Sequence, residues 1–576
     1  MPKISILPDN LVNKIAAGEV IERPAAVVRE LVDNAIDAGA GAIDVEVIHG
    51  GRKLIKVSDN GTGMDREDAL LCFQRHATSK IGNEEELSGI STLGFRGEAL
   101  PAIASVSKVT LTTFSGNSDT GTRVEIGADR RMAVSEAPPV KGTTVEIRDI
   151  FYNTPARRKF LKTISTELSH IIETVLQKAL AYPGISFTLI HNRNHLINAS
   201  AAPGLKERFI QLYGDETAGE FLEVKKESDG IRLRGFISSP GFARASRSHQ
   251  FVFVNRRPVK NPTVSHAVYN ACRDAISGDR HPAYFLFLEI DPAKVDVNVH
   301  PAKREVKFER PDEIHRVTGA AVYEALNPGC ETDVSSPPAA QSPAYRGTAS
   351  TPPYTPRLNT PHTEPATVVS DDSQADFFTS GIMQEVRSFF HIGESFFATV
   401  SDRGLVIIDQ HAAHERILYE RFLKKTSIEA EPLFLPVRIE LPVREFRIIV
   451  EHRDFLAGFG LDIEDFGANN IIVRALPRDL RKADLRGLLM DIAAGIVEEE
   501  SSGIKSDLTE ESLLRKTAAS LACHRSVRGR GHLTNEELTK MLADLDGTEE
   551  PDKCPHGRPT RIILSMDELN RMFRRK

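Results

Sequence analysis

Residues 27–40, VVRELVDNAIDAGA, carry Val28, Leu31, Val32, Ala35 and Ile36 at helical spacing, and Gly39 ends the run. Glu30, Asn34 and Asp37 fall at i, i+4 and i+7, so they share the opposite face. The apolar run LIKVSD predicts a strand ending at Asp59, followed by Gly61 and Gly63. In STLGFRGEALPAIASV, Gly94 and Gly97 introduce an apolar-periodic helix that starts near Ala99. KGTTVEI places Gly142 and Thr143 at a strand entrance. Further on, FVFVNRRPVK and YFLFLEIDP read as strands flanking the helical SHAVYNACRDAI, a smaller α/β unit. The strand GLVIID ends at Asp409, and a helix beginning near His411 follows it.

These elements group into bodies. From 329 to 381 the chain is rich in Pro, Ser and Thr and has too little apolar surface to order itself, so a flexible linker is expected there. The expected boundaries are 1–205, 206–328, the linker at 329–381, and 382–576. No period repeats. Hydrophobic residues at 40% and charged residues at 27% match an ordinary globular protein, and a net charge of -7 excludes a chain that is basic all over. The start, MPKISILPDNLVNKIAAGE, lacks the apolar core of a signal peptide, and no segment reaches the length of a membrane span. Five scattered cysteines form no disulfide framework, which predicts a reducing, cytoplasmic setting.

Candidate chemistry sits in both halves. In the front half, Gly61 and Gly63 let backbone approach a ligand, and Asp59 ahead of them can accept a hydrogen bond from a base amino group. The Gly94–Gly97 turn feeds a helix N-terminus, whose free N–H groups suit phosphate. The spacing fits neither a Walker loop nor a Rossmann fingerprint. Taken alone, Glu30, Asn34 and Asp37 read equally as a solvated acidic face. Basic clusters occur at Arg157, Arg158 and Lys159, at Arg256, Arg257 and Lys260, and around Lys303. Few aromatic residues accompany them and there is no Trp, so contact with a duplex DNA backbone, without sequence preference, is the expectation.

In the back half, Asp409, His411 and Glu415 lie within seven residues, and His411 and Glu415 share a helical face. Cys523, Cys554 and His556 would converge on them from elsewhere. Such a mixture of thiolate, imidazole and carboxylate suits Zn2+ or Mn2+. Each piece also has a plain structural role open to it: Asp409 as a helix cap, Glu415 paired with Arg416 or Arg403, Cys523 as a small buried hydrophobe. A structural zinc is the alternative for the set as a whole.

The motifs ELVDNAIDAGA, DNGTGM, RHATSK, GFRGEAL and GTT stand in the order found in the GHKL ATPases. RHATSK, GFRGEAL, FYNTPARRKFLK and VDVNVHPAKREVKF narrow the resemblance to the MutL family of mismatch repair proteins, and cover essentially the whole front half. The resemblance implies an α/β sandwich of GHKL type, a ribosomal S5-like α/β second domain, and a C-terminal α/β domain for dimerisation and endonuclease activity. It implies that Glu30 activates water, Asn34 holds Mg2+, and Asp59 reads adenine with Gly63 and Thr143 nearby. Thr78, Ser79, Lys80 and the run Gly94, Phe95, Arg96, Gly97, Glu98, Ala99 and Leu100 would form an ATP lid, with Lys303 reaching the γ-phosphate from the second domain. DQHAAHERILYE fits the DQHA-x2-E-x4-E signature of endonuclease-type members, including Glu420, and CPHGRP is their terminal motif. His524 departs from the lysine expected after Cys523.

The expected function is therefore an ATP-gated homodimer, cytoplasmic and at the nucleoid when active, coupling mismatch recognition by MutS to metal-dependent strand incision. The competing expectation is an ATP-switched matchmaker without nuclease activity, its back half dimerising around structural zinc. EPLFLP (431–436) resembles a sliding-clamp motif, but Glu431 stands where a Gln would lead it, and a charge fits poorly in an apolar clamp pocket.

Overall fold

The computed structural model describes residues 21–80, 92–94, 97–129, 131–244, 246–276, 280–296, 306–328, 389–393, 395–401, 404–424, 428, 430–467, 469–481, 483–502, 508–526 and 533–575. Phe95, Arg96, Lys303 and the expected linker lie outside them.

The first unit is an eight-stranded sheet, mostly antiparallel. From one edge its strands are Met132–Ala137, Gly121–Ile126, Lys108–Phe114, Gly142–Arg148, Leu54–Asp59, Ala42–Ile48, Ser186–His191 and Asn194–Ala199. Helices Pro24–Asp37, Ala99–Val106 and Ile164–Ala181 bury their apolar stripes against it. Pro24 opens the first helix, where the missing N–H is no loss, and Val28, Leu31, Val32 and Ala35 are nearly inaccessible. Ile36 is only partly buried. The two long helices are locked by a buried ion pair between Asp33 and Lys178. Burial raises the Asp33 carboxyl above its ordinary range, although Lys178 pulls it down.

The second unit is a five-stranded sheet ordered Arg257–Val259, Gln250–Val254, Tyr284–Glu289, Ile231–Ser238 and Phe221–Ser228. Helices Pro262–Cys272 and Pro311–Leu326 cover one face. Helix Leu205–Tyr213 sits at the junction, where Phe209 stacks on Phe236 and meets Phe285 edge-on. The two units thus form α/β layers of the kind expected.

The back half holds two sheets. Strands Phe389–Ile392, Phe396–Ser401, Gly404–Asp409 and Arg561–Leu564 form one, with helices Gln410–Lys424 and Asn535–Asp546 packed on it. Strands Ala430–Glu440, Asn470–Pro477 and Asp462–Gly467 form the other, beside helices Val443–Glu451 and Leu485–Ser502. The strand register puts Phe390, Ile392, Phe396, Val400, Leu405, Ile407, Ile562 and Leu564 on one face of the first sheet. Phe390, Phe396, Val400 and Ile562 are exposed there, an apolar face with nothing packed on it among the described residues. No helix among the described residues is long and apolar enough to cross a membrane.

Candidate nucleotide and metal sites

A cleft of about 1760 Å³ opens beside helix Pro24–Asp37, lined by Glu30, Asn34, Asp59, Gly63, Thr78, Ser79, Lys80, Gly94, Gly97 to Leu100, and Thr143. Sequence positions far apart meet here because the strands ending at Asp59 and beginning at Gly142 are neighbours, with Asp59 directly opposite Thr143. Asp59 accepts from Gly61 N–H at 2.9 Å. Burial raises its carboxyl above the ordinary range against backbone hydrogen bonds from Gly61 and Thr143 that lower it. Thr143 shares a hydroxyl contact of 3.0 Å with Thr113. Gly63 has a φ of 67°, and a Cβ there would lie 2.1 Å from the Phe114 carbonyl oxygen, so only glycine fits.

Asn34 and Asp37 are both engaged by Lys80, whose ammonium lies 2.9 Å from Asn34 Oδ1 and 2.6 Å from Asp37 Oδ2. Asp37 further accepts from Leu93 N–H at 2.9 Å and Gly94 N–H at 3.1 Å. Glu30 is held by the neighbouring Arg29 at 3.1 Å. Gly97, at a φ of 60°, passes so close to Ala77 that an added Cβ would lie 2.5 Å from its carbonyl oxygen, and His76 N–H donates to Gly97 O at 3.2 Å. RHATSK and GFRGEAL are therefore one surface. Asp37 as the anchor of that surface was not singled out in the sequence, although its i+7 position on the helix was.

The basic clusters divide. Arg158, Lys159, Arg256 and Lys260 are exposed, Arg157 is half-buried, and the Arg256 guanidinium lies 5.7 Å from the Tyr182 ring centre. Arg257 departs from the expected outward basic face: it is 8% exposed and donates to the Thr92 carbonyl. It is the first residue of the strand Arg257–Val259 and shares the buried face with Val259, while Arg256 sits in the preceding turn.

In the back half, Asp409 caps the helix that follows it, accepting from His411 N–H at 2.9 Å and Ala412 N–H at 3.0 Å through Oδ1. This is the plain structural role left open in the sequence. Glu415 is 1% exposed and is joined by Cys554 and His556, whose ligand atoms lie within 4.8 Å of one another. Arg416 instead donates to Lys553 O and to Glu550, and Arg403 lies outside the described residues. His556 stands 3.6 Å from the Glu415 carboxylate and Arg558 3.3 Å from it. Of the six expected ligands, these three are gathered. His411 is exposed one turn away, and Cys523 is half-buried on helix Leu508–Ser526.

Without a metal, Cys554 and Glu415 are held toward their charged, ligating forms, whereas His556 is held protonated and would give up its proton on binding a metal. Burial pushes the Cys554 thiol up, but hydrogen bonding with His556 and Arg558 outweighs this and holds it below its ordinary value. Glu415 is likewise held low, burial being overcome by His556 and Arg558. Cys554 and Glu415 together lift His556 to about 9. The donor chemistry of one thiol, one imidazole and one buried carboxylate fits zinc or manganese, with room for a non-protein ligand. The turn carrying Cys554 is fixed from below. Arg416 Nε donates to Lys553 O at 2.6 Å, and Glu420 accepts from Glu549 N–H at 2.7 Å. Glu420 therefore braces the terminal loop. His524, the departure noted in the sequence, turns inward to Asp491 at 2.8 Å, so its ring is paired inside the fold. Arg558 was present in the quoted CPHGRP motif but its contact with Glu415 was not anticipated.

Three family models match this chain: the histidine kinase-, DNA gyrase B- and HSP90-like ATPase over residues 22–143, the DNA mismatch repair protein C-terminal domain over 209–327, and the MutL C-terminal dimerisation domain over 390–533. The chain is 39% identical to the DNA mismatch repair protein MutL of Syntrophotalea carbinolica over 100% of its own length and 99% of the relative's. It is 40% identical to that of Thermodesulfovibrio yellowstonii over 100% of both. The chain belongs to the MutL family of DNA mismatch repair proteins. Among solved structures, the MutL ATPase domain of Aquifex aeolicus complexed with ADP is similar at 28% identity, covering 52% of this chain and 98% of that one, with a TM-score of 0.37. As a MutL family member the chain carries a GHKL ATPase domain and a C-terminal dimerisation domain.

Proposed function

We propose that this MutL family protein is an ATP-gated homodimer that nicks duplex DNA when a mismatch has been recognised by MutS. The observation that carries the nuclease part is the gathering of Glu415, Cys554 and His556 at the end of a helix capped by Asp409. In the front half, Glu30 would orient water for attack on ATP, Asn34 would hold Mg2+, Asp59 would read the adenine with Thr143, and Lys303 would act on the γ-phosphate. Phosphoryl transfer needs chiefly this positioning and charge neutralisation. Asn34 Oδ1, which would hold Mg2+, accepts from the Lys80 ammonium at 2.9 Å, so Lys80 and the ion would share or exchange that oxygen.

In the back half, Glu415, Cys554 and His556 would hold Zn2+ or Mn2+, with Asp409, His411 and Cys523 completing the set. A bound divalent ion there supplies Lewis-acid polarisation of a phosphodiester and lowers the pKa of water. Buried Glu415 stays charged beside it, and Arg558 stands close enough to meet a phosphate oxygen. The apolar face bearing Phe390, Phe396, Val400 and Ile562 joins the two protomers, because an exposed face of that kind is costly unless covered. Arg157, Arg158, Lys159, Arg256 and Lys260 meet the DNA backbone. Phe434 is 99% exposed beside Leu435, which leaves a clamp contact available, but Glu431 is committed to Arg481 at 2.5 Å.

The test is nicking of closed circular DNA with manganese at low salt. Asp409→Asn and Glu415→Lys are expected to abolish nicking while ATP hydrolysis stays within about twofold, since the sites share no residue. Undiminished nicking in both variants, or a wild-type protein inert with manganese, leaves the matchmaker reading.

A further inference from the structure

We infer that Arg257, from the second domain, is a positioning residue for ATP hydrolysis that clamps the stem of the lid, residues 92–94, against Asp37. The inference rests on the cleft being the ATPase site.

The stem is held from two sides. Asp37, at the end of the first helix, accepts the Leu93 and Gly94 N–H groups at 2.9 and 3.1 Å. From the opposite domain the Arg257 guanidinium donates through Nη2 to the carbonyl of Thr92. Three consecutive residues are thus pinned, one donor direction by each domain. A backbone carbonyl is an unusual object for a guanidinium that is more than nine-tenths buried, because the cation gives up its hydration for a neutral acceptor. Burial accordingly weakens its hold on its proton, with Asp33, Tyr182 and Asp37 partly offsetting this. Moreover Nη1 is buried with no hydrogen-bond partner among the described residues. A buried donor left unmade costs about 1–3 kcal/mol. A cation kept in that state is suited to gaining a partner when the stem moves.

The mounting is stiff. Arg257 starts a strand directly after a two-residue turn at Asn255 and Arg256, both with left-handed φ, 47° and 66°, as a tight hairpin requires. Asn255 is fixed to the neighbouring strand end: its N–H donates to Leu288 O at 2.8 Å, its amide donates to Ile290 O at 2.8 Å, and its carbonyl accepts from Ile290 N–H at 3.0 Å. The hairpin therefore moves with the second domain as a unit, so a rotation of that domain is delivered to the stem through one side chain.

The experiment uses the full chain. Arg257→Lys keeps the charge but loses the planar fork. Its expected signature is a fall in kcat of about tenfold, equivalent to about 1.4 kcal/mol of barrier, with ADP affinity within about twofold of wild type. Cleavage after Lys80 by a lysine-specific protease is expected to be suppressed by a non-hydrolysable ATP analogue in wild type and much less in the variant. A kcat equal to wild type overturns the inference, and so does a parallel loss of ADP affinity, which would make Arg257 a ground-state support of the pocket. If wild type itself fails to hydrolyse ATP, the ATPase reading falls and the inference with it. If Arg257→Lys does not fold, hydrogen exchange of the wild type decides. Amides 92–94 and 252–259 are expected to slow together with the ATP analogue and not with ADP, and slowing of the stem alone overturns the clamp.

Discussion

The cleft of the ATPase domain and the Glu415–Cys554–His556 cluster are built in opposite ways. The cleft takes its groups from short runs, each carried whole by one strand end or helix face: Glu30, Asn34 and Asp37 on one helix, Asp59 to Gly63 on one turn, Thr143 on the adjoining strand. The cluster joins one helical residue, Glu415, to a turn near the end of the chain, with Arg558 at a sequence distance of 143. In the cleft the Lys80 ammonium rests on Asn34 and Asp37. The cluster is centred on a buried carboxylate and a thiol held low. One site is shaped by local geometry, the other by long-range closure.

The sharpest way to break this comparison is to silence one site and watch the other. Glu30→Ala is expected to bind nucleotide yet lose hydrolysis by about a hundredfold or more, the usual contribution of a general base, while manganese-dependent nicking without ATP continues. Steady-state hydrolysis and the nicking assay read the two outcomes, and a wild-type hydrolysis rate would remove Glu30 from its role. Next in size is stability. Lys178→Met strands the buried Asp33 carboxylate and is expected to lower the stability of the front half by about 3–5 kcal/mol. Denaturant unfolding followed in the front half checks it, and the metal cluster, which shares no element with that pair, should be unaffected.

The smallest effect is on pH. Burial, aided by Arg447 and His49, lowers the His191 imidazole to about 4, and its ring accepts from Gly50 N–H at 3.3 Å. Between about pH 6.5 and 4 the unfolded chain binds a proton that the folded one refuses, so stability falls as pH falls through that window. His191→Gln should flatten the dependence of the melting temperature there, and an unchanged slope would place its origin elsewhere.

The same contrast explains what the sequence disclosed. The stripe Val28, Leu31, Val32 and Ala35, the helix starting at Ala99 and the strand ending at Asp409 were legible because periodicity is a local property. The cleft was legible for the same reason, its motifs being contiguous. Arg257 looked like one basic surface residue among others, since sequence shows charge but not which side of a strand faces a neighbouring domain. Asp409 was named for metal and is seen capping a helix, two uses of one carboxylate that composition cannot separate. That Glu420 braces a loop, and that His524 turns to Asp491, depend on contacts between distant segments that no spacing encodes.

The strand Arg561–Leu564 lies beside Gly404–Asp409, and Asp409 N–H donates to Thr560 O at 2.9 Å. Translation is vectorial, so the helix bearing Glu415 leaves the ribosome long before the turn bearing Cys554 and His556 exists. The ATPase sheet, complete by Ala199, can fold while the rest is still being made. A nascent or prematurely terminated chain would thus own the ATPase sheet without the thiol and imidazole of the cluster. Order of synthesis alone completes the ATPase sheet before Glu415 can meet Cys554 and His556.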